Sequence, residues 1–490
     1  MTPRSLQTLG LIGAALSVGS CSGGSEADSS VDDVLAIFSG SSDYCAIPDF
    51  GADVLAHVPA EGQPQIDDVN WFARPVFHDG DDWIIAFASH DQNYIYNLST
   101  DRRVMIPDRS DAVATPDGRY MTVPSSYTPD SSVRFYPVAP MLEALSEGQD
   151  IADLAPAFIH EHPSMEHVYY QSTALISQTE TVVGSETIYR LMFSGGADES
   201  NFRIVDYLFR HRSDSGELLA VEPSEPMAVC PAIKNDLNTP FMSKDGRYVA
   251  AYTSETAGSA FSSGASLKIY ELTSTDPSAH TTSCSEVADL GFAAGKADFS
   301  FDNSMMTFHL SQGGYLTPFV TGGLRENTIT DVMVARLDQA PDGSITGHSG
   351  LQRLSTSLDA GVGSYFPAFF PDGKLFFLSN SAPREAETGK RFDFRVVDPS
   401  SRGWRTALPD DPTMSAMWAR LGTLWQDACT PTFSKLGATP FPLQSHELPL
   451  QAMSLNVPQC EALVRDAREG AEDDGTAWDA LAAVCSAIEG

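Results

Sequence analysis

Polar and apolar positions along this chain recur in one phrase: an aromatic or small residue, a Pro-Asp-Gly-like turn, then an apolar run. It reads Val113-Ala114-Thr115-Pro116-Asp117-Gly118-Arg119-Tyr120-Met121-Thr122-Val123 and returns as Phe241-Met242-Ser243-Lys244-Asp245-Gly246-Arg247-Tyr248-Val249-Ala250-Ala251. The cleanest copy is Ala368-Phe369-Phe370-Pro371-Asp372-Gly373-Lys374-Leu375-Phe376-Phe377-Leu378-Ser379. Degenerate copies surround Asp79-Gly80 and Asp302-Asn303. Proline presets φ, aspartate bonds its own turn, and Gly or Asn accepts the left-handed conformation that closes a tight hairpin. A strand is expected after each turn.

A second phrase trails the first: a strand, a polar turn, another strand. Examples are Tyr94–Leu98, Leu267–Leu272, Val332–Leu337 and Phe394–Asp398. Two hairpins per unit predict a four-stranded antiparallel blade, which buries both faces only by stacking on neighbours. The turn aspartates at 79, 117, 245, 302 and 372 are spaced by 38, 128, 57 and 70 residues. The 128-residue gap leaves room for one more blade, with strands at Thr173–Ile176, Ile188–Phe193 and Phe202–Phe209. The expected fold is therefore all-β, a six-bladed propeller with seven blades as the alternative count, and a β-sandwich with repeated turns as the competing arrangement. Units longer than about 45 residues imply long rim loops, such as Ser254–Ala265 and Gly313–Thr330.

After Asp410 the pattern changes. Met414, Met417, Trp418, Leu421 and Leu424 fall at helical spacing within Pro412–Asp427. Gln459–Arg468 and Thr476–Ile488 also read as helices, split by the acidic Gly470–Gly475 turn. Helices this short need packing partners, so a small helical appendage is expected. The domain layout that follows is 1–20 signal peptide, 21–50 tether and N-terminal segment, 51–410 propeller and 411–490 helical region.

The repeated phrase resembles the WD40-like repeat of the TolB β-propeller family over about residues 70 to 400. The resemblance implies the fold. It implies no function, because TolB carries an N-terminal α/β domain and only about 50 residues precede the first repeat here. The family's tethering role is therefore not expected to transfer.

The first 30 residues supply an address. Arg4 begins a weakly positive start, Leu9–Val18 is apolar, and Val18-Gly19-Ser20-Cys21 closes it before a polar stretch through Ser30. About ten apolar residues are too few to span a bilayer, and the three-part layout is that of an export signal. The segment resembles a bacterial lipoprotein signal peptide, with Val18 where Leu is usual, and implies Cys21 as the lipid attachment point. Ser22 resembles the outer-membrane sorting pattern. An ordinary cleaved signal with an incidental cysteine is the alternative. No other stretch approaches 18 apolar residues.

Thirty Lys and Arg against 65 Asp and Glu leave the 490-residue chain with a net charge of −35. That field repels phosphate backbones, so nucleic acid is not an expected partner. It suits a salty habitat or a cationic partner. Of seven cysteines, six remain beside Cys21, none in C-x-x-C spacing. Export favours disulfides, and six cysteines can pair fifteen ways. The pairing expected is Cys230 with Cys284, Cys460 with Cys485, and Cys45 with Cys429.

Candidate chemistry is thin. His160, His162 and His167 form the densest histidine cluster. In an extended segment His160 and His162 share a face and could reach one metal, with Glu161 or Glu166 adding oxygen. The spacing matches no zinc motif, which leaves the metal reading without motif support, and a polar rim loop between blades is the favoured explanation. Asp79-Gly80-Asp81-Asp82 lacks the alternating acids and terminal Glu of a calcium loop and reads as a hairpin turn. No G-x-S-x-G elbow, P-loop or G-x-G-x-x-G occurs. No catalytic residue, metal or cofactor is assigned. The expectation is a noncatalytic envelope protein, held by its lipid, that binds another envelope protein or a ligand through rim and channel loops. The alternatives are a propeller lyase or hydrolase acting on an extracellular polymer, and a metal-dependent accessory factor. Charged groups converging in the channel with perturbed pKa values would favour the enzyme, and an apolar rim patch the binder.

Overall fold

A computed structural model describes residues 53–58, 69–89, 92–108, 111–124, 132–161, 168–181, 184–195, 202–230, 241–253, 266–276, 280–290, 294–311, 330–354, 363–380, 393–401, 405–406 and 457–469, with single positions 424 and 479. These residues are mostly strand. After β1 (Asp53–Val58), the first meander is β2 (Val69–Asp79), β3 (Asp82–Ser89), β4 (Asn93–Asn97) and β5 (Arg102–Ile106). The second is β6 (Val113–Ala114), β7 (Tyr120–Pro124), β8 (Ser132–Pro137) and β9 (Phe158–Glu161), with helix α1 (Val138–Glu147) between its last two strands. The third runs β10 (Val168–Thr181), β11 (Gly184–Gly195), β12 (Phe202–Arg212) and β13 (Leu218–Pro223).

Strand β14 (Met227–Ala228) pairs with β12 and makes one parallel bridge, Ala228 to Thr281, into the next meander. That meander is β15 (Phe241–Met242), β16 (Tyr248–Thr253), β17 (Ser266–Asp276) and β18 (Thr281–Asp289). Next come β19 (Gly295–Phe299), β20 (Met305–Ser311), β21 (Thr330–Gln339) and β22 (Ile345–Arg353), with β26 (Arg405–Thr406) on the outer edge. The last meander, β23 (Gly363–Phe369), β24 (Leu375–Asn380) and β25 (Asp393–Asp398), takes its fourth strand from the opposite end of the chain: β1 pairs antiparallel with β25.

The sheets take a propeller-like arrangement. Contacts between innermost strands run from β2 to β6, β6 to β10, β10 to β15, β15 to β19, β19 to β23, and from β23 back to β2. Each junction is packed with apolar side chains from both sides. Tyr120, Phe135, Tyr189, Tyr207 and Phe209 fill the one between the second and third meanders. Phe87, Tyr96, Phe366, Phe376 and Phe394 fill the one between the last and the first. A sheet with two apolar faces is stable only between two neighbours, which is why the modules stack in sequence.

The recurrent aspartates form the predicted turns and do a second job. Asp117 Oδ1 accepts from Thr115 Oγ1 at 2.7 Å and Arg119 N at 3.2 Å. Asp245 Oδ1 accepts from Ser243 Oγ and Arg247 N, and Asp302 Oδ1 from Ser300 Oγ and Ser304 N. In three modules the second oxygen reaches the next module. Asp117 Oδ2 accepts from the Tyr189 hydroxyl at 2.6 Å, Asp245 Oδ2 from Asn303 Nδ2 at 2.8 Å, and Asp372 Oδ2 lies 2.7 Å from His78 Nδ1. Gly246 has φ +70, and a Cβ there would sit 2.3 Å from Ile176 Cδ1 of β10, so both backbone and junction require glycine.

The two ends of the meanders differ. First connections are short, two residues between β2 and β3 and five between β15 and β16. Second connections leave the opposite end and reach 12 residues after β16, 18 after β20 and 12 after β24.

Strand β1 and helix α1 lie outside the elements that the sequence pattern predicts. Helix α1 packs Val138, Met141, Ala144 and Leu145 inward, and the chain after it covers the outer edge of β5: Met105 N donates to Asp150 Oδ1 and Ile151 N to Met105 O. Of the predicted tail helices, Gln459–Arg468 lies within helix α2 (Val457–Glu469), which buries Ala462, Leu463, Val464 and Ala467. Pro412–Asp427 and Thr476–Ile488 lie outside the described residues apart from positions 424 and 479, as do the expected rim loops apart from Thr330, which opens β21. Among the described residues no helix is long and apolar enough to cross a membrane.

Candidate functional site

Where the innermost strands converge, an otherwise acidic chain collects two buried cations, Arg74 and Lys296, and the half-buried Lys244. Arg74 comes from β2, Lys244 from the β15–β16 turn, and Lys296 with Asp298 from β19. Asp111 stands just before β6, and His309 lies on β20. Local backbone aims these side chains. Register shifts interrupt β19 between Gly295 and Asp298 and β23 between Tyr365 and Ala368. Lys296 and Phe366 occupy those bulges at φ 53 and 51. Left-handed conformations are costly for residues with a Cβ and persist where surroundings over-determine them.

The Arg74 guanidinium acts as a plug. Its Nη1 donates to the Pro367 carbonyl at 3.4 Å, and its carbon stands 4.8 Å from the Phe241 ring centroid, so one side chain links three meanders. Burial pulls its pKa down, and Asp298 and Asp111 hold it up. Asp298 is saturated on both oxygens, one accepting from Lys244 Nζ at 2.7 Å and the other from Phe369 N at 2.9 Å. Lys244 Nζ also lies 5.6 Å from the Phe301 ring centroid.

Asp111 keeps some accessible surface, yet burial pushes its carboxyl up to about 6, with Lys296 and Arg74 opposing. Lys296 Nζ is 5.2 Å from the Phe366 ring centroid, and His309 meets that ring edge-on at 5.9 Å. Burial first, and the Lys296 charge second, pull His309 down to about 3, so it is neutral at neutral pH. Beside Arg74, Lys244 and Asp298 a cavity of about 30 Å³ is bordered by Val113, Thr115 and Phe369. It has room for water.

Residues singled out from sequence lie elsewhere. Cys230 and Cys284 form a disulfide, Cα atoms 5.4 Å apart, fastening the segment after β14 to β18. Cys460 lies on α2, while Cys21, Cys45, Cys429 and Cys485 lie outside the described residues. His160 sits on β9 with Nδ1 3.0 Å from the Tyr207 hydroxyl, and burial lowers its pKa. His162 and His167 lie outside the described residues. Asp79–Asp82 is a hairpin turn, with Gly80 at φ 59 and Asp82 Oδ1 accepting from Asn97 Nδ2. Among the described residues no three His, Cys, Asp or Glu gather to hold a metal.

The axial cluster was missed because its members are far apart in sequence. A signal does exist: Asp111, Lys296 and Phe366 each stand six positions before a turn aspartate, at 117, 302 and 372. Counting back from the turn finds residues at one level of the innermost strands.

No family model matches the chain, and no curated protein matches it. Solved structures similar to it are WD40 and other β-propeller proteins. Hydrazine synthase from Kuenenia stuttgartiensis is 11% identical over 66% of this chain and 79% of that one, with a TM-score of 0.32. The WD40 β-propeller domain of Doa1 is 8% identical over 72% and 99%, TM-score 0.32. The WD40 domain of SCAP from fission yeast is 7% identical over 70% and 86%, also at 0.32. Likeness at this level says nothing of substrate or partner.

Proposed function

We propose that this chain is a noncatalytic envelope lipoprotein: a closed six-bladed propeller, tethered through Cys21, that binds another envelope protein or a ligand at one end of the ring. The observation that carries the reading is the asymmetry between connections: first connections are two to five residues in every meander, whereas second connections, at the opposite end, reach 12, 18 and 12 residues, the one long connection at the tight-turn end being the segment that carries α1. Rigid rings recognise partners through loops gathered on one face. The blade count follows from treating each meander as one blade and β1 as the outer strand of the last.

Charges converging at the axis are what the enzyme reading expects, but several of them are engaged in packing and hydrogen bonds. Asp298 has both oxygens bonded, Arg74 is wedged between Pro367 and Phe241, and the cavity beside them is water-sized. The exposed large apolar residues Val54, Leu55, Phe77, Ile159 and Leu219 are scattered over β1, β2, β9 and β13, so the binding end is not argued from them. Capture of one stoichiometric partner from detergent-solubilised envelope by the purified protein tests the reading. Capturing nothing while cleaving a polysaccharide would overturn it. The address has its own test: Cys21→Ser should move the protein from the membrane to the soluble fraction.

One observation favours the enzyme reading. The Asp111 carboxyl, raised to about 6 between two buried cations, has the character of an acid–base group. Under that reading Asp111→Asn abolishes turnover of an extracellular polymer with the fold intact. The metal reading draws no such support, since His160 faces Tyr207.

A further inference from the structure

The axial cavity is bordered by the tight first connections, at the end of the ring opposite the long ones. Its wall takes Arg74 from β2, Thr115 from the β6–β7 turn, Lys244 from the β15–β16 turn, Asp298 from β19, Phe301 from the β19–β20 turn and Pro371 from the β23–β24 turn. Five of the six meanders therefore meet around one small space. Of the three ionisable groups on that wall, two are cations. The third, Asp298, spends one oxygen on Lys244 and the other on Phe369 N.

Lys296 and Asp111 add one charge of each sign next to Arg74. Among the described residues the axis thus sets three cations against two carboxylates, in a chain whose net charge is −35. Positive charge withdrawn from water is costly unless an anion answers it. The size of the space restricts that anion. A cavity of about 30 Å³ with Phe301, Phe369 and Pro371 on its wall admits only a few atoms. Sulfate and larger oxyanions are excluded by volume, and a divalent anion would overcompensate the charge.

We propose that this cavity is a binding site for one small monovalent inorganic anion of chloride's size, held beside the Arg74 guanidinium and the Lys244 ammonium. Both groups offer charged N–H donors, the strong kind of hydrogen bond to an anion. The bound ion completes the charge balance where five meanders meet, and ties the stability of the ring to halide. The site requires neither the lipid nor the partner of the proposed function, and it stands if that reading falls.

The test uses the full chain at neutral pH, in sodium chloride and in sodium gluconate of equal ionic strength, gluconate being too large for the cavity. The urea unfolding constant should fall as chloride replaces gluconate, and be about elevenfold lower once chloride stands tenfold above its dissociation constant. Bromide should substitute for chloride. Arg74→Gln and Lys244→Gln each keep a donor but remove a positive charge, and each should weaken the apparent chloride affinity by about tenfold or more. General salt effects act on all three proteins alike, so the difference between them reports the site. A wild type indifferent to chloride, or a response unchanged in both variants, would overturn the proposal. Should neither variant fold, crystals of the wild type grown in sodium bromide decide. An anomalous peak in the cavity beside Arg74 and Lys244 sustains the site, and bromide missing from it overturns it.

Discussion

The junction between the second and third meanders and the one between the last and the first perform the same task with different polar chemistry. Both bury a dense set of aromatic rings, around Phe209 in one and Phe394 in the other. Both use the spare oxygen of a turn aspartate to reach across. In the first the partner is Tyr189, 72 residues along the chain in the next module; in the second it is His78, 294 residues from Asp372. Apolar packing holds any two modules together. What distinguishes the closing junction is its polar partner, an imidazole where the interior junction has a phenol.

The largest expected effects test whether the apolar halves are alike. Phe209→Ala and Phe394→Ala each remove a fully buried ring and should cost about 3 to 5 kcal/mol, read from denaturant unfolding. A small loss at Phe394 alone would mean that the ring is already open there in solution, and the comparison would fail.

A covalent staple reinforces an interior junction. Cys230 and Cys284 are 54 residues apart, and opening a loop of that length should lower stability by at most about 4 kcal/mol on chain entropy. Reduction should lower the unfolding midpoint, and Cys230→Ser/Cys284→Ser should match it. If reduction changes nothing, the parallel bridge between β14 and β18 suffices.

The axis carries a histidine whose proton affinity is set by burial. Buried His309 has a pKa near 3, against about 6.5 in the unfolded chain. The unfolded state therefore binds the extra proton, and stability falls as pH drops below about 6.5 and stops falling near the folded value. The loss at pH 4 should be on the order of 3 kcal/mol. His309→Phe should remove that acid limb while leaving behaviour above pH 7 unchanged. An acid limb that persists would place its origin in the carboxylates instead.

How much of this was legible follows from distance along the chain. Pro116-Asp117-Gly118 and its copies are local, and each encodes a turn that the structure contains. The strands at Thr173–Ile176, Ile188–Phe193 and Phe202–Phe209 were found by β-rich composition alone and lie in β10, β11 and β12. Strand β1 was not, because six residues preceding the repeat gain meaning only from pairing with β25. Nor was helix α1, whose Pro137 start and short length carry weak signals and whose burial against β4 and β5 is tertiary. The axial cluster is the extreme case. Arg74, Lys244 and Asp298 look like ordinary surface charges until the meanders bring them together, and Asp298 reads like any of 65 acidic residues.

The smallest effect is the most discriminating. Tyr189→Phe deletes one hydroxyl and leaves the Asp117 Oδ2 lone pair without its 2.6 Å donor. A hydrogen bond to a charged group is worth about 1.5 to 3 kcal/mol. Because Asp117 still has Thr115 and Arg119 on its other oxygen, the cost should fall at the low end of that range. The phenol is buried and its pKa is raised further, first by burial and then by Asp117, so it stays protonated throughout the neutral range. The deficit should therefore be the same at pH 5.5 and pH 8, as measured by paired urea titrations. A deficit that shrinks or grows with pH would show that a titrating group contributes at this interior junction, and the account of Tyr189 as a permanently protonated donor would fail.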